Sequence, residues 1–357
     1  MRLFSRVEAI EAFPLADFGG HDKPTLAQNE SAFAPSPAAL EAGRAALARA
    51  ALYPDPDWNE LRSAIAEIHG VERGLVLCGA GSMDLISCVI RAYSGPGDEI
   101  LASAYTYLFV ASAAAQAGAT YVQVAEDDFA VSVDRLIAAV TPATRIVFLC
   151  NPGNPTGTRI GNAEIVRLRA SLPADVLLVI DQAYGEFDDQ DPRPVFQLVN
   201  ERNTVVLRTL SKAYGLAGLR VGWGLFPAAI GREVRKLVNS NNVTSVALAM
   251  ATAALRDRAY VSDVVGRTAV IRDRLAGQLR DAGFEVPSSF TNFVLVRFSG
   301  EAEAALADER LRADGLIARK VAGYGLRDCL RITIGPEDEM ARVGHVLTGL
   351  ERKSGAA

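Results

Sequence analysis

From Asn59 onward, short β-rich runs alternate with helical stretches, and this alternation limits the architectures open to the chain. The β-rich runs lie at 75–78, 99–103, 120–124, 145–150, 176–181, 204–208 and 220–225, with helical stretches at 83–92, 108–116, 133–139 and 163–171 between them. Runs that are apolar almost without interruption are buried on both faces, which calls for a mostly parallel sheet covered by helices on each side. A long helical region at 245–282 follows, then further β-rich runs at 292–298, 316–320 and 330–334. The expected fold class is α/β, with a second, smaller α+β lobe. A chain of 357 residues exceeds the size at which one hydrophobic core keeps growing, which again favours two lobes. Residues 1–50, rich in Pro, Gly and Ala, read as an irregular arm leading into a helix from Pro37.

Composition excludes several function classes. The net charge of −5 argues against a nucleic-acid partner but leaves room for small anions held by a few arginines. Cys78, Cys88, Cys150 and Cys329 show no C-x-x-C spacing and sit among apolar residues, so they read as buried reduced thiols. His21, His69 and His345 have no ligand partner nearby, and no metal site is expected. Charges break every apolar run near the N-terminus, so no signal peptide is expected. The longest apolar stretch, 246–255, is too short to cross a bilayer. A cytoplasmic protein without membrane contact is the expectation.

Ligands of open α/β sheets gather at the carboxyl ends of the strands. Here those ends deliver Gly79-Ala-Gly-Ser82, Tyr105-Thr-Tyr107, Asn151-Pro-Gly-Asn-Pro-Thr-Gly157, Asp181-Gln-Ala-Tyr184 and Thr209-Leu-Ser-Lys212. The first is a Gly-rich turn before a helix, suited to an anion, but it is neither a Walker loop nor a G-x-G-x-x-G fingerprint. The second Pro/Gly-dense segment holds its backbone stiffly and offers Asn154 as a fixed amide. Asp181 ends a strand buried on both faces, where a carboxylate is costly without a cation or several donors. Taken singly, Asp181 serves equally well as a turn cap, and Lys212 as a solvent-facing lysine. Their company changes this: Thr209, Ser211 and Arg220 are small hydroxyls and a guanidinium suited to a phosphate dianion.

The combination of Asn-Pro-x-Asn-Pro-Thr-Gly, Asp-x-x-Tyr and Ser-Lys-x-Tyr-Gly-Leu-Ala-Gly-Leu-Arg resembles the class I/II, fold-type I aminotransferases that use pyridoxal 5'-phosphate (PLP). Tyr53-Pro-Asp-Pro, Asn29-Glu-Ser and Leu330-Arg-Ile-Thr-Ile-Gly335 extend the resemblance over nearly the whole chain, and the nearest branch is the histidinol-phosphate aminotransferases. The resemblance implies a mostly parallel seven-stranded sheet in a large PLP-binding domain at 51–250. It implies a small domain at 251–357, with the arm and helix of 1–50 packed against that small domain. It further implies that Lys212 carries PLP as a Schiff base and shuttles a proton, and that Asp181 pairs with the pyridinium nitrogen. Asn154 and Tyr184 would bond the ring hydroxyl, and Tyr107 would stack on the ring. Gly81, Ser82, Met83, Thr209, Ser211 and Arg220 would hold the phosphate. Tyr53 would reach the phosphate in a neighbouring subunit, which makes the unit a homodimer. Arg331, Arg319 and Asn29 are assigned to substrate, with Arg331 gripping a carboxylate. The implied partners are an amino donor, glutamate, and a keto acceptor, either imidazoleacetol phosphate or the keto acid of an aromatic or other amino acid.

The chain departs from the family pattern at Ser31-Ala32, at Met83 where the family carries Asp, and at Phe18 where many histidinol-phosphate enzymes direct a Tyr at substrate. These positions bear on substrate handling and cofactor seating rather than on attachment to Lys212. Because fold does not dictate reaction type, a PLP lyase or decarboxylase on the same scaffold stands as the alternative.

Overall fold

The chain builds two sheets in the computed structural model, which describes residues 25–201 and 203–350. The strands are β1 (Thr25–Leu26), β2 (Val76–Gly79), β3 (Glu99–Ser103), β4 (Thr120–Val124), β5 (Thr144–Cys150), β6 (Leu177–Asp181), β7 (Thr204–Thr209), β8 (Gly222–Leu225), β9 (Phe293–Arg297), β10 (Ile317–Val321) and β11 (Leu326–Thr333). The larger sheet is seven-stranded, in the order β2-β8-β7-β6-β5-β3-β4. β8 is antiparallel to both its neighbours, and the other pairings are parallel. The link from β7 to β8 contains only the 3-10 turn Ala217–Leu219, too little for the helix that a parallel crossover needs.

Strand burial follows position. The two edges differ: β2, like the inner β6, β7 and β8, is buried along its whole length, whereas the opposite edge strand β4 is half-exposed and carries the polar Thr120 and Gln123. The larger core, which includes Ile90, Phe148, Ile180 and Trp223, lies about this sheet. The smaller sheet runs β1-β10-β11-β9 and covers a second core that includes Leu26, Leu279, Val294, Leu330 and Val343. The fold class is therefore the expected fold-type I α/β arrangement.

Several boundaries differ from the sequence reading for local reasons. The region 245–282 is two helices, Ser245–Arg256 and Arg258–Asp281, because the Asp257 side chain accepts from Tyr260 N (3.3 Å) and starts a new helix. Arg220, expected to open a strand, instead takes a left-handed conformation (φ 54°), and β8 begins at Gly222. Helices Asn59–His69, Arg193–Glu201 and Ala228–Arg235 escaped the reading. The helix from Pro37 forms as expected: Ser36 Oγ accepts from Ala39 N at 3.2 Å, and proline occupies the first turn. It packs on helix Ser245–Arg256 so closely that a methyl at Gly43 would lie 2.5 Å from Met250 Sδ. All four cysteines are free and buried. Among the described residues no helix is long and apolar enough to cross a membrane, and no acidic, His or Cys cluster suits a metal. Phe18, like the rest of the arm before Thr25, lies outside the described residues.

Candidate active site

β2, β5, β6 and β7 end at one edge of the large sheet, and the small sheet leans over that edge. A cavity of about 490 Å³ lies between them. Its lining includes Asn29, Ser82, Met83, Tyr107, Asn154, Asp181, Tyr184, Thr209, Ser211, Lys212, Arg220, Arg319 and Arg331. Two of the expected residues stand apart. Gly81 lies just behind the wall, next to Ser82 and Arg220, and Tyr53 is 88 % exposed, outside the cavity of its own chain.

Lys212 sits in the turn after β7, and its Nζ donates to Gln28 O at 3.1 Å. Burial, more than the charges of Arg331 and Arg220, pushes its pKa down to about 7, with Glu30 and Asp181 acting against the shift. A substantial share of the amine is thus neutral near pH 7 and available as a nucleophile. Asp181, at the end of β6, is pushed up to about 6 by burial, while the Ala183 N–H (3.0 Å to Oδ1) and Lys212 pull it back. Such a carboxyl is short of a cation, the condition under which a protonated ring nitrogen is a favourable neighbour.

The phosphate end is built from backbone and hydroxyls. Gly81 caps helix Ser82–Tyr93 with φ 85°, and a methyl there would come within 2.5 Å of Arg220 Nη2. A methyl at Gly222 would strike Ser82 N, so β8 runs directly against the helix start. Thr209 Oγ1 donates to Ser211 Oγ at 2.9 Å, and Arg220 Nη1 reaches Ser211 Oγ at 3.4 Å. The left-handed backbone at Arg220 is unusual for a non-glycine residue, and such strain concentrates at functional sites. Helix N-terminus, hydroxyls and guanidinium together form an anion cradle. Met83 Sδ accepts from the Tyr107 hydroxyl at 3.2 Å, and the carboxylate of the turn is Asp84, whose Oδ2 accepts from Ala80 N and Asn242 Nδ2, both at 3.0 Å.

Opposite the cradle, β10 and β11 place Arg319 and Arg331 directly across from each other in register. Like charges so paired are unfavourable, and the arrangement suits an anion placed between or beside them. Arg331 donates to Asn154 Oδ1 and to Ala27 O, each at 2.6 Å, while its buried Nε has no hydrogen-bond partner among the described residues. Asn29 Nδ2 donates to the Tyr184 hydroxyl at 2.7 Å, and its backbone N–H donates to Thr333 Oγ1 at 2.9 Å. The arm thus ties both sheets to the site. Burial holds the Tyr184 phenol well above its usual pKa, with Arg331 and Asn29 opposing, so Tyr184 acts as a neutral hydroxyl.

Sequence reasoning overlooked Gln28, Glu30, Cys150 and Tyr324, which also line the cavity. Gln28 and Glu30 flank Asn29, and that adjacency was the available signal. Tyr324 lies in the 3-10 turn between β10 and β11, a placement visible only once those strands pair.

The family model described as aminotransferase class I and II matches residues 21–347. A histidinol-phosphate aminotransferase of Jannaschia sp. (strain CCS1) is 45 % identical over 332 residues, covering 93 % of this chain and 92 % of that protein. One from Paramagnetospirillum magneticum is 46 % identical, covering 88 % of each. The crystal structure of histidinol-phosphate aminotransferase from Sinorhizobium meliloti in complex with pyridoxal-5'-phosphate superposes with a TM-score of 0.90 at 29 % identity, covering 97 % of this chain and 96 % of that one. The cavity fits that cofactor: an anion cradle backed so closely by Gly81 that a Cβ there would strike Arg220, a buried carboxyl short of a cation, and a buried lysine whose pKa is lowered to about 7. The chain belongs to the class I and II aminotransferases and is a PLP-dependent transaminase.

Proposed function

We propose that this enzyme moves an amino group between glutamate and the keto partner of histidinol phosphate, as a cytoplasmic step of histidine biosynthesis. The observation that carries the reading is the register pairing of Arg319 with Arg331 at the cavity wall, two cations for anionic substrate groups. The names of the relatives favour a phosphorylated substrate.

PLP, when bound, withdraws electrons from the substrate Cα and makes its proton removable. In our reading Lys212 would hold the cofactor through its Nζ and would move the proton at the substrate Cα. Asp181 would hold the proton on the ring nitrogen, and Asn154 and Tyr184 would hold the ring through its hydroxyl. Tyr107 covers the ring face and shields it from water. Gly81, Ser82, Met83, Thr209, Ser211 and Arg220 hold the phosphate. Arg331 binds a carboxylate through its fork, Arg319 a second anionic group, and Asn29 borders the substrate. Tyr53, exposed in the single chain, completes the phosphate site of a second copy, so the working unit is a homodimer. Residues 51–250 form the cofactor lobe and 251–357 the smaller one, a division favoured by the two separate cores; β1 pairs with β10 of the smaller lobe, but helix Pro37–Leu47, expected to pack there too, instead packs on Ser245–Arg256 and puts Ala39 into the larger core.

The test is an absorbance titration of the PLP-loaded protein with glutamate, histidinol phosphate and phenylalanine in separate runs. Loss of the visible band with glutamate and with histidinol phosphate supports the reading. Conversion by phenylalanine but not by histidinol phosphate would move the substrate to the aromatic amino acids.

A further inference from the structure

Behind the cavity, on the side turned away from the cofactor, a buried ion pair underlies the turn that carries Asp181 and Tyr184. Arg208, on β7, is 3 % exposed and reaches back beneath that turn. Its Nη1 donates to Gln182 Oε1 at 3.2 Å, and its Nη2 lies 3.2 Å from Glu186 Oε1. The side chains of the pair are 4 % and 8 % exposed. The guanidinium is so close to the turn that a methyl at Gly185 would run into it. Phe196 and Trp223 flank it, with ring centroids 5.7 and 6.0 Å away. Neither Arg208 nor Glu186 lines the cofactor cavity; Glu186 and Tyr214 line a second cavity of about 520 Å³. The turn itself is tight: Gln182 N donates to Leu207 O (2.8 Å), Gly185 N to Gln182 O (2.9 Å) and Phe187 N to Tyr184 O (2.9 Å).

We propose that Arg208 and Glu186 are positioning residues, the rigid backing on which the Asp181–Tyr184 turn is set, so that the pair fixes where the Asp181 carboxyl and the Tyr184 hydroxyl point. This rests on the roles given above to those two residues. A buried ion pair is poor value as a source of stability, since well-packed apolar side chains of similar volume often serve as well or better. What an apolar replacement lacks is the planar fork, which addresses Gln182 and Glu186 together and so fixes the turn at both ends. Burial raises the Glu186 pKa, and Arg208, foremost among the groups opposing the rise and helped by the Tyr214 hydroxyl, is its counter-charge.

The experiment compares Arg208→Met with the double variant Arg208→Met/Glu186→Met. Three quantities are read: the melting temperature without cofactor, the pH midpoint of the visible band with PLP, and kcat and KM for glutamate. The single variant leaves a buried carboxylate unpaired and melts lower. The double variant is expected to regain most of the melting temperature while its spectral midpoint stays displaced by about half a unit or more. Its kcat should stay down about tenfold, with KM changed by less than about threefold. A double variant that regains stability, midpoint and kcat together would overturn the proposal, because the pair would then be packing alone. Should neither Met variant fold, Arg208→Lys and Glu186→Gln carry the same readings, and wild-type midpoint and kcat in both would sink it. A wild-type protein that gives no visible band with PLP removes the roles of Lys212 and its neighbours, and the proposal with them.

Discussion

Arg331 on β11 donates to Asn154 Oδ1 at 2.6 Å, which joins the small sheet to the Pro/Gly-dense loop after β5. The guanidinium that we assign to substrate is thereby held against the residue that we assign to the ring hydroxyl, and its second Nη donates to Ala27 O. On the roles we propose for these two residues, this direct contact between β11 and the loop after β5 would set substrate anion and cofactor ring relative to one another.

Replacing Arg331 with Lys keeps the charge and removes the fork. The kcat/KM for glutamate should fall roughly a hundredfold, about 3 kcal/mol, with KM carrying most of the loss. The visible band with PLP should persist, because Arg331 is not the attachment point. Steady-state kinetics and an absorbance spectrum check this; loss of the band would show that Arg331 holds the cofactor site itself.

Lys212 carries a pH dependence of defined sign. An exposed lysine titrates at 10.5, this one at about 7, so as pH falls the unfolded chain takes up the proton first. The contribution of Lys212 to the stability of the cofactor-free protein therefore declines from about 10.5 to about 7 and is constant below. Lys212→Met should abolish the visible band and raise the cofactor-free melting temperature at pH 7 by a few degrees. The rate of PLP capture by the wild type should rise through pH 7 and level off above it. A rise centred near 10 in stopped-flow absorbance would contradict the buried neutral amine.

Asp181 has the opposite trend. Its folded pKa of about 6 lies above the ordinary 3.8, so its contribution to cofactor-free stability is full below 3.8 and lost as pH rises through about 6. Asp181→Asn should flatten that part of the stability profile and leave PLP attached. Without an anion beside the ring nitrogen, kcat should drop by about two to three orders of magnitude. Thermal melts across pH 3 to 8, with single-turnover kinetics, measure both.

Tyr53 tests the shared site. Tyr53→Ala and Lys212→Ala should each be strongly impaired as pure proteins. Mixed and reassembled in equal amounts, they should recover roughly a quarter of wild-type activity, since half of the dimers would hold one intact site. No recovery after verified subunit exchange would mean that Tyr53 serves no second copy.

The cofactor end of the site was legible in the chain because each element is local. Gly81 and Ser82, Asn154, Asp181 with Tyr184, and Ser211 with Lys212 each stand at the end of an apolar β-rich run, and parallel strands align their carboxyl ends at one edge. Gln28 and Glu30 were signalled only by their adjacency to Asn29, and Tyr324 not at all, because it reaches the cavity through the β10–β11 turn, where local pattern carries no address. The break at Asp257 was missed because its cue is a single side-chain cap inside a continuous helical composition.

The sequence by itself determined the alternation of strands and helices, the residues at the strand ends and, by resemblance, the cofactor. Those depend on hydrophobic period and on motifs within a few residues. Tertiary structure alone decided that β8 runs antiparallel, that Arg319 faces Arg331, that Asn29 reaches Tyr184, and that Arg208 backs the Asp181 turn. Asn29 and Tyr184 stand 155 residues apart and Arg208 and Gln182 26 apart, and even the nearer pairs, β7 with β8 and Arg319 with Arg331, are set by which strands pair, which local pattern does not specify.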